Sequence, residues 1–250
     1  MKRLSTEFKV FIALILLLGI SAAIQSVLPV GIEIPGMEDM ELPAPPWVVA
    51  LANFGIMIII YGGFGWLGLY LAKKTELPGI WKDKFSVKKH ISIPFIVGII
   101  CGALLIITDI LFAEFTELDK IPHPAFPASI FASISAGISE EIMFRLFFIS
   151  FWLWLIGKIL LSERGMNTIF WILAVFSTIF FTVAHFPSLM LLYEIKEITA
   201  IPISLVTELF IMNGIVSVAA IWYFKKYGII AAIGIHFWTD ILWHVVYGMF

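Results

Sequence analysis

Three ionisable residues, Glu140, Glu141 and Arg145, interrupt an apolar stretch that runs from residue 126 to residue 161. A charge at the centre of a bilayer costs about 2.5–3.5 kcal/mol on insertion scales, so intramembrane charges usually serve a function. Glu141 and Arg145 are four residues apart and can pair on one helix face. Glu140 lies about 100° further around the helix and is left free to act as a general base toward water. The alternative is a buried charge cluster that only holds helices together.

Two other apolar segments carry imidazoles. His185 follows Phe181 by four residues, and His236 precedes Asp240 by the same spacing, so each pair shares a helix face. His244 continues the second stripe and is interpreted as a supporting partner or as an interfacial residue. A single membrane histidine is as often a hydrogen-bonded structural residue as an acid–base group. Together with the glutamates, however, the histidines predict an enzyme site within a membrane.

A glutamate, two histidines and a further acid permit two chemistries, and both hydrolyse an amide. In the metal-free version, Glu140 helped by His185 activates water, while His236 and Asp240 stabilise the oxyanion of a tetrahedral intermediate. In the second version, Glu140, His185 and His236 bind zinc, with a water in the open position. The chain has neither a His-Glu-x-x-His motif nor a Gly-x-Ser-x-Gly turn. We prefer the version without a cofactor and keep zinc as the alternative.

The composition places these groups in a membrane protein. Of 250 residues, 61% are hydrophobic and 14% are charged, as expected of a chain with several transmembrane helices. The sequence predicts an all-α polytopic bundle of seven or eight spans, which forms one integral membrane domain over residues 1–250. The fourth span is too long for one perpendicular helix and must tilt or break, and Pro187 is expected to end the fifth. The seven spans are predicted near residues 8–28, 47–72, 92–113, 126–160, 168–186, 201–224 and 228–249.

Lysine and arginine sort the loops between these spans into two groups. Thirteen of the sixteen basic residues lie at or before the start of the first span, or in alternate loops and the span ends beside them. Two lie in the remaining loops, and Arg145 lies in the middle of a span. By the positive-inside rule the N-terminus is predicted to be cytoplasmic, and seven spans place the C-terminus outside. No basic stripe indicates nucleic-acid binding. The thirteen are Lys2, Arg3, Lys9, Lys73, Lys74, Lys82, Lys84, Lys88, Lys89, Lys158, Arg164, Lys225 and Lys226, and the two are Lys120 and Lys196.

The order and spacing of the polar groups resemble the three motifs of the CAAX-processing and bacteriocin-processing (CPBP) membrane proteases, which include the type II CAAX prenyl endopeptidases. The resemblance covers residues 126–250, which would form the catalytic core, while residues 1–125 match only as generic membrane helices. It implies an all-helical fold with a polar intramembrane cavity. The motifs here are Glu140-Glu141-x-x-x-Arg145, Phe181-x-x-x-His185 and His236-x-x-x-Asp240.

Carried over by position, the resemblance implies that Glu140 activates water with help from His185, and that His236 with Asp240 binds the oxyanion. The substrate would be a peptide or a prenylated protein C-terminus, cut within membrane lipid. The CAAX-cleaving members typically have asparagine where this chain has Asp240. Because an ionised aspartate cannot donate a hydrogen bond, this difference weakens the prenyl substrate more than the protease assignment. The resemblance makes Glu141 and Arg145 the supporting pair.

Other interpretations stay open at this stage. Asp109 and Asp240 could form an intramembrane aspartyl dyad, which would leave the glutamates without a role. The chain could be a transporter, although no internal repeat is visible, or a scaffold that uses buried charges for packing. Small faces such as Gly98 with Gly102 permit close helix packing. Such packing could occur within one chain or between chains, so the oligomeric state stays open.

Overall fold

Seven long helices dominate the computed structural model, which describes residues 5–29, 31, 44–115 and 120–250. Each helix is long and apolar enough to cross a membrane, and these ranges contain no strand. The all-helical fold class is therefore confirmed, with seven spans among the described residues. In chain order the helices are α1 (Thr6–Gln25), α2 (Pro46–Lys74), α3 (Lys88–Glu114), α4 (Ala128–Leu160), α5 (Met166–Leu192), α6 (Ile203–Tyr227) and α7 (Ile229–Met249).

The outside of the bundle is apolar. Ile59 is 75% exposed and Val218 is 67% exposed, and many other large aliphatic and aromatic side chains also face outward. A water-soluble protein rarely exposes so much contiguous apolar surface, whereas lipid tails are as apolar as these side chains. The fold is therefore that of an integral membrane protein with several spans.

Two helices change their winding next to predicted site residues. The α4 helix is α-helical over Ala128–Glu140 and continues as wide π-helical turns over Glu141–Ile149. The α7 helix is α-helical over Ile229–Asp240 and changes in the same way over Ile241–Val246. Wide turns of this kind occur frequently at functional sites. The α4 helix therefore continues through these wide turns, without the break that its length made possible.

The α5 helix is interrupted at His185. Its first part ends at Val183, and a second part begins at Phe186 and continues to Leu192. Pro187 lies in the first turn of this second part, where a missing N–H and a fixed φ are tolerated. The prediction that Pro187 ends the fifth span is therefore wrong, because the proline begins a helical segment here.

Glycines bring α3 into backbone contact with α7. A Cβ atom on Gly98 would lie 2.7 Å from the Ile235 carbonyl oxygen, and one on Gly102 would lie 3.0 Å from the Thr239 carbonyl oxygen. The Thr239 hydroxyl donates to the Gly98 carbonyl over 3.1 Å. This small face therefore serves packing within the chain, and it holds the helix that carries His236.

A short loop before α3 lies across the start of α7. Ile80 in this loop is 1% exposed, and the carbonyls of Gly79 and Ile80 accept hydrogen bonds from the Ile229 and Ile230 N–H groups. Gly228 has φ +102°, and a Cβ there would lie 2.6 Å from the Ile80 carbonyl oxygen. The first N–H groups of α7 are thus bound by carbonyl groups of this loop, which we call the Gly79–Trp81 loop. The loop covers the start of α7.

We expect Gly98→Ala to lower the unfolding midpoint of the protein in detergent. The new methyl group would press against a backbone carbonyl of α7, and overpacking of this kind costs about 1–3 kcal/mol. The matched control is Gly63→Ala in α2, where a Cβ meets nothing within 4 Å. Equal midpoints for the two variants would contradict the tight contact between α3 and α7.

Candidate active site

Four of the six predicted site residues line one cavity inside the bundle. Glu140 of α4, His185 of α5, and His236 with Asp240 of α7 surround a space of about 270 Å³. The cavity walls are otherwise mainly apolar side chains from α3, α5, α6 and α7. The structure thus gathers polar groups from three separate helices around one volume that can hold a peptide segment.

The other two predicted residues lie behind the cavity wall. Arg145 Nε is 3.3 Å from Glu141 Oε2, and neither side chain has any exposed surface. Arg145 also donates from Nη2 to the Ser217 hydroxyl over 2.8 Å, and its guanidinium lies 4.3 Å from the centre of the Phe181 ring. A buried charge is tolerated only when it is paired and hydrogen-bonded. These contacts supply the ion pair and one hydrogen bond, while Nε and Nη1 of Arg145 have no hydrogen-bond partner among the described residues.

Glu141 connects this ion pair to His236. The Nδ1 atom of His236 is 2.9 Å from Glu141 Oε1, so the ring donates its Nδ1–H to a carboxylate that Arg145 already holds. Such an orienting partner fixes the tautomer and the direction of an imidazole. The Arg145–Glu141–His236 chain therefore positions His236 so that Nε2 points to the other carboxyl groups of the site.

The Nε2 atom of His236 lies between two carboxyl groups. It is 3.6 Å from Glu140 Oε2 and 3.6 Å from Asp240 Oδ2. Both distances exceed those of a hydrogen bond, so neither carboxyl group is tied to the ring. The Glu140 side chain is 27% exposed, in contrast to the fully buried Glu141. Glu140 can therefore reach a water molecule or a substrate in the cavity.

His185 is oriented by its own helix. Its Nδ1 atom lies 2.8 Å from the Phe181 carbonyl oxygen, and its ring meets the Phe181 ring edge-on at 5.0 Å. A donated Nδ1–H leaves Nε2 with a free lone pair. Because the helix ends at Val183, the Phe181 carbonyl is free to accept this bond. The local fold therefore sets the orientation of the His185 ring.

Phe181 brings the two histidines to one level. Counted from the start of each helix, His185 lies 19 residues into α5 and His236 seven residues into α7. At about 1.5 Å per residue, this is a difference of roughly 18 Å. The Phe181 ring nevertheless lies 5.0 Å from the His185 ring and 5.7 Å from the His236 ring. The fold therefore brings the two histidines close together although they lie at different distances from the starts of their helices.

One polar residue of the site, Asn213, was not predicted from the sequence, whereas His244 was interpreted there as a supporting partner or an interfacial residue. Asn213 lines the cavity and donates one amide hydrogen to the Leu209 carbonyl over 3.0 Å, which leaves its second N–H for a ligand. His244 also lines the cavity, and its Nδ1 lies 3.1 Å from His123 Nδ1, so it is not a mere interfacial residue. The sequence did carry a signal for Asn213, because it is a polar residue inside an apolar span.

The aspartyl dyad gains no support. Asp109 accepts hydrogen bonds from the Ile121 N–H at 3.1 Å and the Tyr247 hydroxyl at 2.9 Å, and it does not line the cavity with Asp240. Its role is therefore to join α3 to α7. For the zinc alternative, Glu140, His185 and His236 are chemically suitable ligands. Within the described ranges, however, no three acidic, histidine or cysteine side chains are grouped closely enough to hold a metal ion.

Fold and site together define a class: a membrane protein whose described residues form seven long helices around an intramembrane site of carboxyl groups and imidazoles. Residues 122–242 match the family model described as type II CAAX prenyl endopeptidase Rce1-like. This segment contains all six predicted site residues, and the match confirms the resemblance drawn from the three motifs. The family indicates a CAAX-type intramembrane endopeptidase. No curated protein and no solved structure is significantly similar to the chain.

The two adjacent glutamates should differ in their effect on stability. Glu141→Gln removes the charge that neutralises buried Arg145, and breaking a buried ion pair costs about 3–5 kcal/mol. Glu140→Gln changes a partly exposed side chain, so we expect a shift within about 1 kcal/mol. Unfolding midpoints in detergent measure both. A loss that is as large for Glu140→Gln as for Glu141→Gln would contradict the described ion pair.

Proposed function

We propose that the protein is an intramembrane endopeptidase that hydrolyses a peptide bond near the C-terminus of its substrate. The observation that carries the proposal is the shared cavity of Glu140, His185 and His236, which lie on three helices and in the segment that matches the endopeptidase family. A scaffold would need buried ion pairs but no cavity lined by carboxyl groups and imidazoles. The proposed substrate is a peptide or a prenylated CAAX-type C-terminus, held in membrane lipid.

In this proposal Glu140 is the general base. It takes a proton from a water molecule that His185 helps to orient through Nε2, and the water oxygen attacks the scissile carbonyl carbon. The tetrahedral intermediate then collapses, the carbon–nitrogen bond breaks, and Glu140 returns the proton to the leaving amine. Neither Glu140 nor His185 has a charged partner of its own at hydrogen-bonding distance among the described residues, so both remain available for proton transfer.

The oxyanion would form next to His236. With Nδ1–H held by Glu141, a protonated ring offers Nε2–H to the developing charge. Asp240 can add a second hydrogen bond only in its protonated form, since an ionised carboxylate accepts but does not donate. The Asn213 amide supplies a further N–H at the same cavity. In this chain an amide from α6 would thus share the task that asparagine performs in the last motif of CAAX-cleaving relatives.

We further propose that the N-terminus lies in the cytoplasm and that catalysis is metal-free. The orientation is supported by thirteen basic residues on one side of the spans against two on the other. In the zinc version of the reaction, Glu140, His185 and His236 would hold the ion, which would polarise the carbonyl and activate its bound water. The same peptide bond would be cut in either version.

The central test is a cleavage assay with the full-length protein in liposomes and a CAAX-type reporter peptide. We expect Glu140→Gln and His185→Ala to fold and to lose activity by a factor on the order of 10²–10⁴, the contribution of general acid–base catalysis. The matched control is Glu163→Gln, an exposed glutamate that pairs with Lys158 in the turn after α4, and it should retain full activity.

Full activity in either site variant would refute the proposed site. Comparison of prenylated with unprenylated reporters shows whether the lipid is recognised. The same assay after stringent chelation separates the two versions, because activity that is lost and then restored by added zinc would overturn the metal-free preference.

Substitutions at position 240 test how the oxyanion is bound. We expect Asp240→Asn to retain activity, because an amide donates a hydrogen bond without needing protonation. Asp240→Ala removes the donor, and the loss of one oxyanion donor costs about 10²–10³ in kcat. Steady-state kcat values at several pH values provide the comparison. Equal activity of Asp240→Ala and the unmodified protein would remove Asp240 from the mechanism.

A further inference from the structure

One imidazole that lines the cavity has no part in the proposed catalysis. His244 lies eight residues beyond His236 on α7, and it shares the cavity with Glu140 and His185. Its Nδ1 atom lies 3.1 Å from Nδ1 of His123, which belongs to the loop between α3 and α4. The described residues form no hydrogen bond with the Nε2 atom of His244. This side of the ring is therefore available to a ligand in the cavity.

His123 is packed against the last turns of α7. Its ring lies 4.5 Å from the Trp243 ring and 5.5 Å from the Tyr247 ring, and it meets both of them edge-on. A Cβ atom on Gly248 would lie 2.7 Å from the His123 Cβ atom, so the close approach depends on glycine. The position of His123 next to His244 is therefore set by packing.

Asp109 fastens the loop that carries His123. Its two carboxylate oxygens accept hydrogen bonds from the Ile121 N–H at 3.1 Å and from the Tyr247 hydroxyl at 2.9 Å. The prolines on either side of His123 restrict the backbone further, because each ring fixes its own φ. The loop therefore holds His123 in a fixed place against α7.

The hydrogen bond between the two rings determines which nitrogen atom of His244 carries a proton. Burial lowers the pKa of His123, so near neutral pH its ring is uncharged and has one N–H. The Nε2 atom of His123 is buried and has no partner among the described residues, and an unpaired acceptor is less rare in protein interiors than an unpaired N–H. His123 therefore donates from Nδ1 to Nδ1 of His244. A neutral His244 then carries its proton on Nε2 and donates into the cavity.

We propose that His244, oriented by His123, binds the terminal carboxylate of the substrate. This inference rests on the proposed peptidase function and names the residue that recognises the chain end. In a CAAX-type C-terminus cut after the cysteine, three residues follow the scissile bond, and in extended form they span at most about 11 Å. The eight residues from His236 to His244 span about 12 Å at the rise of an α-helix. A carboxylate three residues beyond the oxyanion therefore reaches His244.

The acidic groups near this pair do not oppose an anion at His244. The Asp109 carboxylate accepts two hydrogen bonds, and neither it nor Glu208 lines the cavity. Asp240 does line the cavity, and the neutral form that donates to the oxyanion also avoids repulsion of a bound carboxylate. Lys120 is exposed and does not line the cavity. The donor that the spacing places at the chain end is therefore His244.

Binding of two reporter peptides to the full-length Glu140→Gln variant in detergent micelles tests this inference without cleavage. The peptides share one prenylated CAAX-type sequence and differ only in ending as a free carboxylate or as a carboxamide. We expect the carboxylate to bind about ten- to one-hundredfold more tightly, the effect of one hydrogen bond to a charged group. In the same background His244→Asn should abolish the preference, whereas His244→Gln should retain part of it because its amide reaches the place of Nε2.

Two further variants separate the imidazole pair from other effects. His123→Phe keeps a ring against Trp243 but removes the hydrogen bond to His244, so it should weaken the preference even if His244→Asn fails to fold. Lys120→Gln removes the exposed cation of the same loop and should leave the preference unchanged. With Glu140 intact, His244→Asn should raise KM for the carboxylate reporter about as much as it weakens binding, and should change kcat by less than about threefold.

The inference is overturned if the two peptides bind equally to Glu140→Gln, or if the preference survives both His244→Asn and His123→Phe. Loss of the preference in Lys120→Gln alone would also overturn it, because a surface charge would then attract the anion. Retained cleavage by Glu140→Gln would instead refute the peptidase proposal and leave the measured preference for a carboxylate intact.

Discussion

The rest of the site depends on how the structure satisfies an arginine that is fully buried in a membrane-spanning bundle. Arg145 is bound by the Glu141 carboxylate, by the Ser217 hydroxyl and by the face of the Phe181 ring. Such a charge is stable only while all of these partners stay in place. Because Ser217 belongs to α6 and Phe181 to α5, one side chain holds three helices in a fixed arrangement.

This constraint gives two adjacent glutamates different surroundings. Glu141 is fully buried and shared between Arg145 and His236, so it serves as a fixed acceptor that orients an imidazole. Glu140 lies one position earlier, at the end of the regular α-helix, and faces the cavity. The rotation of about 100° between neighbouring helix positions is enough to separate a fully buried carboxylate from one that faces the cavity.

The sequence predicted the parts of the site that depend on local spacing. Hydropathy located seven helices, and the separation of four residues predicted the ion pair of Glu141 with Arg145. It could not predict the contact of Glu141 with His236, because these residues are 95 positions apart and only tertiary packing brings them together. The contact of Ser217 with Arg145 could not be predicted for the same reason, and a serine is not unusual in an apolar span.

Other features escaped prediction because they depend on irregular backbone. Charged residues typical of an exposed connection flank the Gly79–Trp81 loop, yet Ile80 is buried against the start of α7. Pro187 suggested a helix end, whereas a break two residues earlier allowed it to begin a new segment. The cavity nevertheless brings His185 and His236 together, although they lie at different distances from the starts of their helices.

A double-mutant cycle on Glu141→Gln and Arg145→Met tests the buried chain most directly. Residues in one ion-pair network show coupling energies of about 0.5–3 kcal/mol. The account predicts that the double variant loses far less unfolding free energy than the sum of the two single losses, because each single variant leaves an uncompensated partner. Strictly additive losses would show that the two side chains do not depend on each other, and would contradict the account.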